Sequence, residues 1–470
     1  MRTYLAALPC IACALALGPS LSAQILDDYE PQASAVLSTD FQQVRSKKGR
    51  LVTIVNGIYV FRNVRIPRGV TIRGTGAHPM IWVVTGDFRV DGRLSVDGRD
   101  GAHVNTLNAA NFPTPGGAAG PAGGDGGRGS PSSTRRSFAG EAGNGPYQFP
   151  RIGGVGAPAL LGIGLSLQAP GGGGGSFALV GDPHYRRPGQ VVTGRGGSGR
   201  NRSGLVAGGR PGTALFASSF QAHTFFGIGY DYNLKRPILG SVPFLMGGEG
   251  SGGGDRYPRL IVKFINDKRG GGGGGGGGAL MIYAFGTISV TPSGTITANG
   301  GAGGGGEVAG SCREGGGGGG GSGGMLILAA QNKVSLAVKG DTYAATGDAS
   351  FVLSADGGIG RNTSFGNGAP RLHKYPEGPG APNAGGFGGL GIVQIITRTG
   401  KNADGTNTVL DDHIELLQNG RPLKGAAKQR FLAWRGLPNA QGKLVDDSGK
   451  PANTGAGGDI RPSPILLPLF

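Results

Sequence analysis

Four aspartates form the densest acidic group in the chain: Asp87, Asp91, Asp97 and Asp100. Enzymes that cleave polysaccharides use clustered carboxylates for proton transfer or to hold Ca²⁺, usually beside an arginine or a lysine. However, Asp91 and Asp97 each precede a glycine, and Asp-Gly is a common turn sequence. We therefore interpret the four aspartates as turn residues and predict that none of them is catalytic.

The sequence Asp411-Asp412-His413 is the second candidate for a site. It lies outside the repeated segments described below. The sequence Ile-Glu-Leu-Leu follows it directly, and a polar start before apolar residues is typical of a helix N-terminus. We therefore predict the beginning of a helix here, and no site.

Metal ligands are few and widely spaced. The six histidines never occur at the spacing of a zinc site, and Cys312 has no nearby partner. Asp125 lies between glycines, and both it and residues 357–362 resemble calcium-binding nonapeptide turns, but such sites need a tandem array that this chain lacks. We predict no catalytic, cofactor-binding or metal-binding residues and no cofactor. The histidines are His78, His103, His184, His223, His373 and His413.

The composition favours a β architecture with long glycine loops. Glycine and proline account for 131 of 470 residues, about 28%, which is typical of low-complexity chains. Glycine occurs in blocks and not at every third position, which argues against a collagen helix. Full disorder also fits poorly, because residues 80–85, 279–285 and 325–330 are rich in apolar and β-branched side chains.

Short alternating segments between residues 51 and 98 predict β-strands of four to six residues. Each ends in Gly, Asp-Gly or Pro, and the breaks are too short for crossover helices. Two topologies remain open. The strands could form antiparallel hairpins, for which Val90-Asp91-Gly92-Arg93 is a suitable turn. They could instead form successive sides of a parallel β-helix.

A repeated unit of three strands favours the β-helix. Residues 80–98, 279–301 and 325–358 share the same strand order, and each copy closes on Ala or Val, then Asn or Asp, then Gly. A partial copy occupies residues 389–397. Glycine-rich segments separate the copies, and insertions in a solenoid map to loops on one side. We predict an all-β fold, namely a right-handed parallel β-helix with long glycine-rich lateral loops, with a β-sandwich or an irregular β fold as the alternative.

These patterns divide the chain into six segments. Residues 1–23 are a signal peptide, 24–50 an N-terminal leader or cap, and 51–100 the first β-helix coils. Residues 101–269 form a Gly/Pro-rich insertion that packs on the solenoid. Residues 270–400 hold further coils with polyglycine loops, and 401–470 a C-terminal cap with a short helix at 425–436 and a Pro-rich tail. We expect the nine glycines at 270–278 to pack over the outer apolar face of the strand at 279–285.

The N-terminus predicts export. Arg2 precedes an apolar run at residues 5–17, and Leu21-Ser22-Ala23 offers a cleavage site. The run is shorter than the roughly 20 residues that span a membrane, and no later stretch spans one. We therefore expect a secreted, extracellular or cell-surface protein without a transmembrane segment after cleavage. Cys10 and Cys13 fall in the signal, so Cys312 remains alone and either stays inert or forms an intermolecular bond.

The formal net charge of +17 has two interpretations. A strongly basic exported protein attracts polyanions such as acidic polysaccharide, lipopolysaccharide or extracellular DNA. Alternatively, the charge only keeps a glycine-rich surface soluble. The arginines that carry most of the excess are Arg62, Arg65, Arg68, Arg73, Arg186, Arg187, Arg195, Arg200, Arg202 and Arg210.

Residues 57–72 and 85–98 resemble the opening of a loose family of exported, glycine-rich bacterial proteins. In that family glycine blocks lead into strands, as residues 270–301 do here. The resemblance covers most of residues 51–397. It implies a β-helix surface protein, and it brings no catalytic residues, because most members of the family have no assigned activity.

Together these observations predict a non-catalytic secreted or cell-surface protein with a structural or adhesive role. Its expected partners are acidic polysaccharide or other polyanions, and components of the cell envelope or matrix. The alternative is a polysaccharide-acting β-helix enzyme, either a lyase or a glycoside hydrolase.

Overall fold

The protein is described from a computed structural model. The predicted signal peptide, most of the predicted helix at 425–436, Cys312 and three of the histidines (His184, His223 and His373) lie outside the described residues. The described residues are 26–104, 113–130, 140–148, 153–154, 171–177, 186–187, 190–191, 209–212, 228–231, 236–239, 245–254, 269–306, 315–338, 352–358, 385–389, 391–401, 407–409, 411–425, 428, 437–438, 444–445 and 464–469.

The fold is nearly all-β. Among the described residues, helical conformation is limited to two short 3-10 turns, Pro146–Gln148 and Asp411–His413, and to Gly425 and Lys428 within the predicted helix. The strands are, in chain order, β1 (Ala35–Ser38), β2 (Phe41–Arg45), β3 (Leu51–Val55), β4 (Ile58–Phe61), β5 (Val64–Ile66), β6 (Thr71–Thr75), β7 (Met80–Val84), β8 (Phe88–Val90), β9 (Arg93–Ser95), β10 (Arg186–Arg187), β11 (Gln190–Val191), β12 (Ile228–Asp231), β13 (Arg236–Leu239), β14 (Ala279–Ala284), β15 (Thr287–Val290), β16 (Thr295–Thr297), β17 (Met325–Ala330), β18 (Lys333–Val338), β19 (Leu353–Ser354), β20 (Ile392–Lys401), β21 (Asn407–Val409), β22 (Ile414–Gln418), β23 (Arg421–Pro422), β24 (Leu437–Pro438), β25 (Leu444–Val445) and β26 (Pro464–Leu469).

Three sheets contain most of these strands. Sheet I has the order β2-β3-β4-β7-β14-β17-β20-β21, with β26 paired to β20. Sheet II has the order β5-β8-β15-β18-β22-β23, and sheet III the order β1-β6-β9-β16-β19. The chain visits sheets I, II and III in turn with β4, β5 and β6, and does so again with β7–β9, β14–β16 and β17–β19. The remaining three sheets are two-stranded and antiparallel.

The three-strand units stack in parallel and in register. In sheet I, Met281 of β14 pairs with Ile81 of β7 and with Ile327 of β17. The matching strands of sheets II and III pair in the same order, also in parallel. Strands β8 and β9 belong to different sheets, so the hairpin considered at residues 90–93 does not form. The partial copy at 389–397 supplies β20, which pairs in parallel with β17.

Alternation along each strand explains the core. In sheet II, Phe88 and Val90 are buried while Arg89 between them is exposed. The largest buried side chains gather at the N-terminal units around Trp82, whose ring stacks on Tyr59 with centroids 4.4 Å apart. The core then continues through aliphatic residues of the later units. Burial of these alternate apolar side chains is the main force that holds the three sheets together.

The two ends of the stack depart from the parallel pattern. At the N-terminal end, β2 and β3 form an antiparallel hairpin, with Phe41 opposite Val55. This hairpin crosses residue 50, where the sequence placed the limit between the leader and the first coils. Near the C-terminal end, the helix predicted after His413 is absent. Residues 414–418 instead form β22, which pairs in parallel with β18. Strand alternation between buried Ile414 and Leu416 explains the correction.

Candidate functional site

Asp91 binds arginines from two neighbouring strands of sheet II. Its carboxylate accepts hydrogen bonds from Arg65 Nε and Arg89 Nε, both at 3.0 Å. Burial raises the pKa of Asp91, but the hydrogen bonds from Arg89 and Arg65 outweigh burial and hold this pKa below its ordinary value. A carboxylate held ionised between two guanidinium groups is suited to structural cross-linking of strands. It is a poor proton donor near neutral pH.

Asp97 joins sheet III to the next unit of the stack. It accepts hydrogen bonds from Arg93 Nη2 at 2.7 Å and from the Ser95 and Thr297 hydroxyls at 2.7 and 2.8 Å. Its other oxygen accepts the Asn299 N–H at 2.6 Å. The Asn299 side-chain oxygen in turn accepts the Asp356 N–H at 2.8 Å. The Asn or Asp that precedes glycine in successive units therefore forms a ladder of hydrogen bonds that joins each unit to the next.

The other two aspartates of the N-terminal group make the same kind of bond. Asp87 Oδ1 accepts the N–H of Thr287 at 2.7 Å, and Asp100 Oδ1 accepts the N–H of Ala302 at 2.8 Å. Each carboxylate therefore satisfies a backbone donor about two hundred positions further along the chain. Asp87, Asp97 and Asp100 therefore hold the large insertion closed at its base, because each joins residues that lie on either side of it.

The Asp97 ladder yields a stability prediction. Replacing Asp97 with alanine is expected to lower the free energy of unfolding by about 2 kcal/mol or more, because a half-buried backbone N–H and two buried hydroxyls lose their acceptor. Replacing Asp100, which is exposed and accepts one bond, is expected to lower it by less than about 1 kcal/mol. Urea unfolding of both variants measures the difference between their free energies of unfolding. Equal losses would show that the additional hydrogen bonds of Asp97 contribute nothing to stability.

The second acidic candidate is also engaged by its neighbours. Residues 411–413 form a 3-10 turn, and His413 Nδ1 lies 2.7 Å from the carbonyl oxygen of Asn332, to which it donates. Glu415, which follows, accepts hydrogen bonds from Ser335 at 2.7 Å and Lys333 at 3.2 Å. In the part of the chain that the structure describes, no group of three or more His, Cys, Asp and Glu residues could hold a metal ion.

Two of the arginines to which the sequence attributed the excess charge, Arg62 and Arg65, are paired with carboxylates. Arg62 binds both carboxylate oxygens of Asp28, at 2.9 and 2.8 Å, and this bond lowers the pKa of Asp28 to about 2. Arg65 binds Asp91 as described, and Arg73 donates to the carbonyl oxygen of Asp97 at 3.0 Å. These partners lie 24 to 34 positions away in sequence, so the sequence alone did not reveal the pairing.

The excess of positive charge lies elsewhere. Residues 24–100 contain 11 Lys and Arg against 8 Asp and Glu, whereas residues 101–269 contain 17 against 7, a net charge of +10. Among the described residues of that insertion, Arg210 is exposed. Arg186 and Arg187 lie in β10, and Arg195, Arg200 and Arg202 lie outside the described residues. Any polyanion surface is therefore expected on the insertion.

The glycine segments form a second structural system, attached to one corner of the three sheets. Each segment leaves the end of a sheet III strand and returns to the start of a sheet I strand. The outgoing arm and the returning arm of a segment run antiparallel to each other. The N–H of every third residue in the returning arm donates a hydrogen bond to a carbonyl oxygen of the outgoing arm. The bonds are Gly278 to Val96, Gly275 to Arg99 and Gly272 to Ala102; Gly324 to Ala298, Gly321 to Gly301 and Gly318 to Gly304; and Gly391 to Ala355 and Gly388 to Gly358, at 2.6 to 3.1 Å.

Residues 270–278 lie at the centre of this system, which we call the glycine bundle. Three successive N–H groups, those of Gly273, Gly274 and Gly275, donate to three different segments at 2.8 to 2.9 Å. Backbone N–H groups that point in the same direction at every third residue are typical of a polyproline II helix, which has no internal hydrogen bonds. The acceptors are Gly127, Gly319 and Arg99, and the carbonyl oxygens of the same three glycines accept from Gly117, Ser251 and Gly301. Six segments therefore surround the central one.

Close packing explains why the central segment is glycine at every position. A Cβ built on Gly274 would lie 2.0 Å from the carbonyl oxygen of Gly301, and one on Gly275 would lie 2.3 Å from that of Ala118. These glycines pack on other segments of the bundle. None of the atoms nearest to an added Cβ at residues 271–278 belongs to β14, over whose outer face the sequence had predicted this segment to pack.

A peripheral segment needs glycine only where it faces inward. In the outgoing arm at 96–104, Gly98 and Gly101 face the central segment, and an added Cβ on each would lie 2.1 Å from one of its carbonyl oxygens. Arg99 and Asp100 between them are exposed. The sequence carries this signal as glycine at every third position, at 117, 120, 123, 126 and 129. This period of three is local to residues 117–129, so it does not produce the chain-wide repeat of a collagen helix.

Glu249 is the titratable residue that sequence reasoning missed. It lies within the bundle in the sequence Gly-Glu-Gly, and its side chain is fully buried. One carboxylate oxygen accepts the Ser176 N–H at 2.9 Å, and the other has no hydrogen-bond partner. Burial raises the pKa of Glu249 well above its ordinary value, and the bond from Ser176 counteracts this only in part.

In the described part of the chain, no helix is long and apolar enough to cross a membrane. Comparison with protein-family models, with curated proteins and with solved structures finds no match to this chain.

Proposed function

We propose that this chain is a non-catalytic secreted or cell-surface protein that acts as a structural scaffold or adhesin. One observation carries the proposal, namely the three-residue spacing of the backbone hydrogen bonds that join the glycine segments into a bundle. Such an array fixes the relative positions of many chain segments. A rigid projection on a stable β base is a structure suited to spacing or attachment at a surface.

The base of this scaffold is proposed to be a right-handed parallel β-helix. The supporting observations are the repeated order of sheets I, II and III and the parallel, in-register pairing of successive units. Connections between parallel strands of one sheet are right-handed in nearly all proteins, which favours the right-handed form. In this arrangement the glycine bundle consists of the lateral loops at a single corner. The likeness to exported, glycine-rich surface proteins agrees with this proposal.

An activity assay separates the scaffold from the polysaccharide-acting enzyme. We expect the full exported chain to release no reducing sugar and no unsaturated product from a panel of acidic polysaccharides. The engagement of Asp87, Asp91, Asp97 and Asp100 in bonds between units supports this expectation. Robust turnover that disappears with the Asp91→Asn variant would contradict the proposal and support a lyase or a glycoside hydrolase.

Localisation is tested separately. We expect cell fractionation to recover the chain, shortened at its N-terminus, from the medium or the cell surface. Recovery of the uncleaved chain from the cell interior would contradict export, whatever the result of the activity assay.

Binding to polyanions is the proposed mode of attachment. We expect the protein to be retained on a heparin-like resin at low salt and released as salt rises, because screening weakens attraction between exposed charges. The double variant Arg62→Gln with Asp28→Asn is the matched control and should leave retention unchanged, since the ion pair that it removes carries no net charge. Retention that does not respond to salt would count against polyanion binding.

A further inference from the structure

The carboxyl group of Glu249 is fully buried inside the bundle. Its Oε2 accepts the N–H of Ser176 at 2.9 Å and lies beside Gly212, where an added Cβ would be 2.0 Å from it. Its own backbone N–H donates to the Ser322 hydroxyl at 2.8 Å, and its carbonyl oxygen accepts the Ser322 N–H at 2.9 Å. The side chain therefore lies between the segments of Ser176 and Gly212, and the backbone of Glu249 is bonded to a third segment at Ser322.

No charged side chain of the described segments faces this carboxyl. Besides Glu249 itself, the segments that carry it and pack on it contain five charged residues, namely Asp125, Arg128, Glu141, Arg210 and Arg269. Asp125 accepts the Ala119 N–H at 2.7 Å, Arg128 and Glu141 pair with each other at 3.8 Å, and Arg210 is exposed. Arg269 lies two residues before Gly271, which accepts the N–H of Gly254 at 2.8 Å, five positions along the chain from Glu249. Among the described residues, an ionised Glu249 would therefore be buried with one hydrogen bond and no counter-charge, which is strongly unfavourable.

We propose that Glu249 makes the glycine bundle sensitive to pH, so that the bundle is tightly closed in weak acid and loosens when this carboxyl ionises. A carboxylic acid has a proton that can be donated to a neighbouring carbonyl oxygen, whereas a carboxylate only accepts. One oxygen of the Glu249 carboxyl has no hydrogen-bond partner, so only one of its two oxygens receives a donor that would stabilise a negative charge. The bundle therefore matches the neutral form of the side chain.

The direction of the effect follows from proton linkage. The closed bundle retains the proton of Glu249, and the opened bundle releases it because the exposed carboxyl has its ordinary pKa. When the closed state binds more protons, its stability falls as pH rises above that ordinary pKa and keeps falling until the carboxyl of the closed state ionises too. In this window the opening equilibrium constant should increase about tenfold per pH unit.

Hydrogen exchange of the full exported chain, measured from about pH 5 to about pH 8, tests the proposal. Proton linkage predicts the change in the opening equilibrium within this pH range. Exchange rates of the bundle amides are corrected for intrinsic rates and converted to opening constants. We expect the opening constant to rise steeply with pH in the unmodified chain and to lose this dependence in Glu249→Gln. The exposed carboxyl variant Glu141→Gln is the matched control and should keep the full dependence.

Two results would overturn the proposal. One is an opening constant that does not change with pH in the unmodified chain. The other is a pH dependence that persists in Glu249→Gln. If that variant does not fold, Glu249→Gly supplies the residue typical of the bundle and carries the same expectation, so the comparison remains decisive.

Discussion

Replacing Gly274 with alanine is expected to disrupt the glycine bundle and to lower the free energy of unfolding by about 3 kcal/mol or more. Overpacking a well-packed interior usually costs about 1–3 kcal/mol, and relief normally comes from side-chain movement. Here the added methyl group would lie 2.0 Å from the carbonyl oxygen of Gly301 and 2.6 Å from its carbonyl carbon. Backbone atoms must therefore move, and hydrogen bonds of the bundle must lengthen or break.

The matched control for this substitution is Arg99→Ala. Arg99 lies in an arm that bonds to the central segment, but its side chain is exposed, so its loss should change stability by less than about 0.5 kcal/mol. Chemical denaturation and amide protection over residues 270–278 measure both variants. A Gly274→Ala protein as stable and as protected as Arg99→Ala would show that the central segment has free space around it.

Replacing Trp82 with alanine is expected to cost about 3–5 kcal/mol, as large aromatic truncations in cores do. Trp82 is fully buried and stacks on Tyr59, while Phe88 meets its edge with centroids 5.7 Å apart. The rings of Tyr29 and Phe61 lie at 5.6 and 6.1 Å from it. The substitution would leave a cavity where sheets I and II meet, because all these rings face the same interior.

Trp82→Phe is the matched control. The indole Nε1 has no hydrogen-bond partner among the described residues, so its removal loses no bond. Phenylalanine keeps most of the aromatic contacts, and we expect a loss of less than about 1.5 kcal/mol. Thermal and urea unfolding of the two variants give the comparison. A Phe variant as unstable as the Ala variant would show that packing volume is not what Trp82 contributes.

The strand pattern was predictable from sequence because the order of apolar and polar side chains differs between strands and turns. Period-two alternation marks which residues face inward, as at Phe88 and Val90, and the common ending before glycine marks each unit. These two signals placed residues 80–98, 279–301 and 325–358 in equivalent positions, and the observed pairing of Met281 with Ile81 and Ile327 agrees with that alignment. The antiparallel hairpin of β2 and β3 escaped prediction, because alternation is the same in parallel and antiparallel strands.

The glycine bundle could not be predicted in the same way, because its contacts are made by backbone atoms. Every glycine presents the same N–H and C=O groups, so the sequence does not say which segments pair. The local period of three at residues 117–129 was the available signal. Glu249 had no signal at all, because one acid between glycines looks the same whether it is buried or exposed. Likewise, Asp28 could be assigned to Arg62 only once the fold had brought them together.

Hydrogen exchange at residues 270–278 tests most directly whether the glycine segments form a packed bundle. Each of these nine N–H groups donates to a backbone carbonyl oxygen of another segment, and each of these residues is buried. The account predicts that these amides exchange as slowly as those of the neighbouring strands β14 and β17. Exchange at the rate of an unstructured glycine chain would contradict it and would identify the segments as flexible linkers.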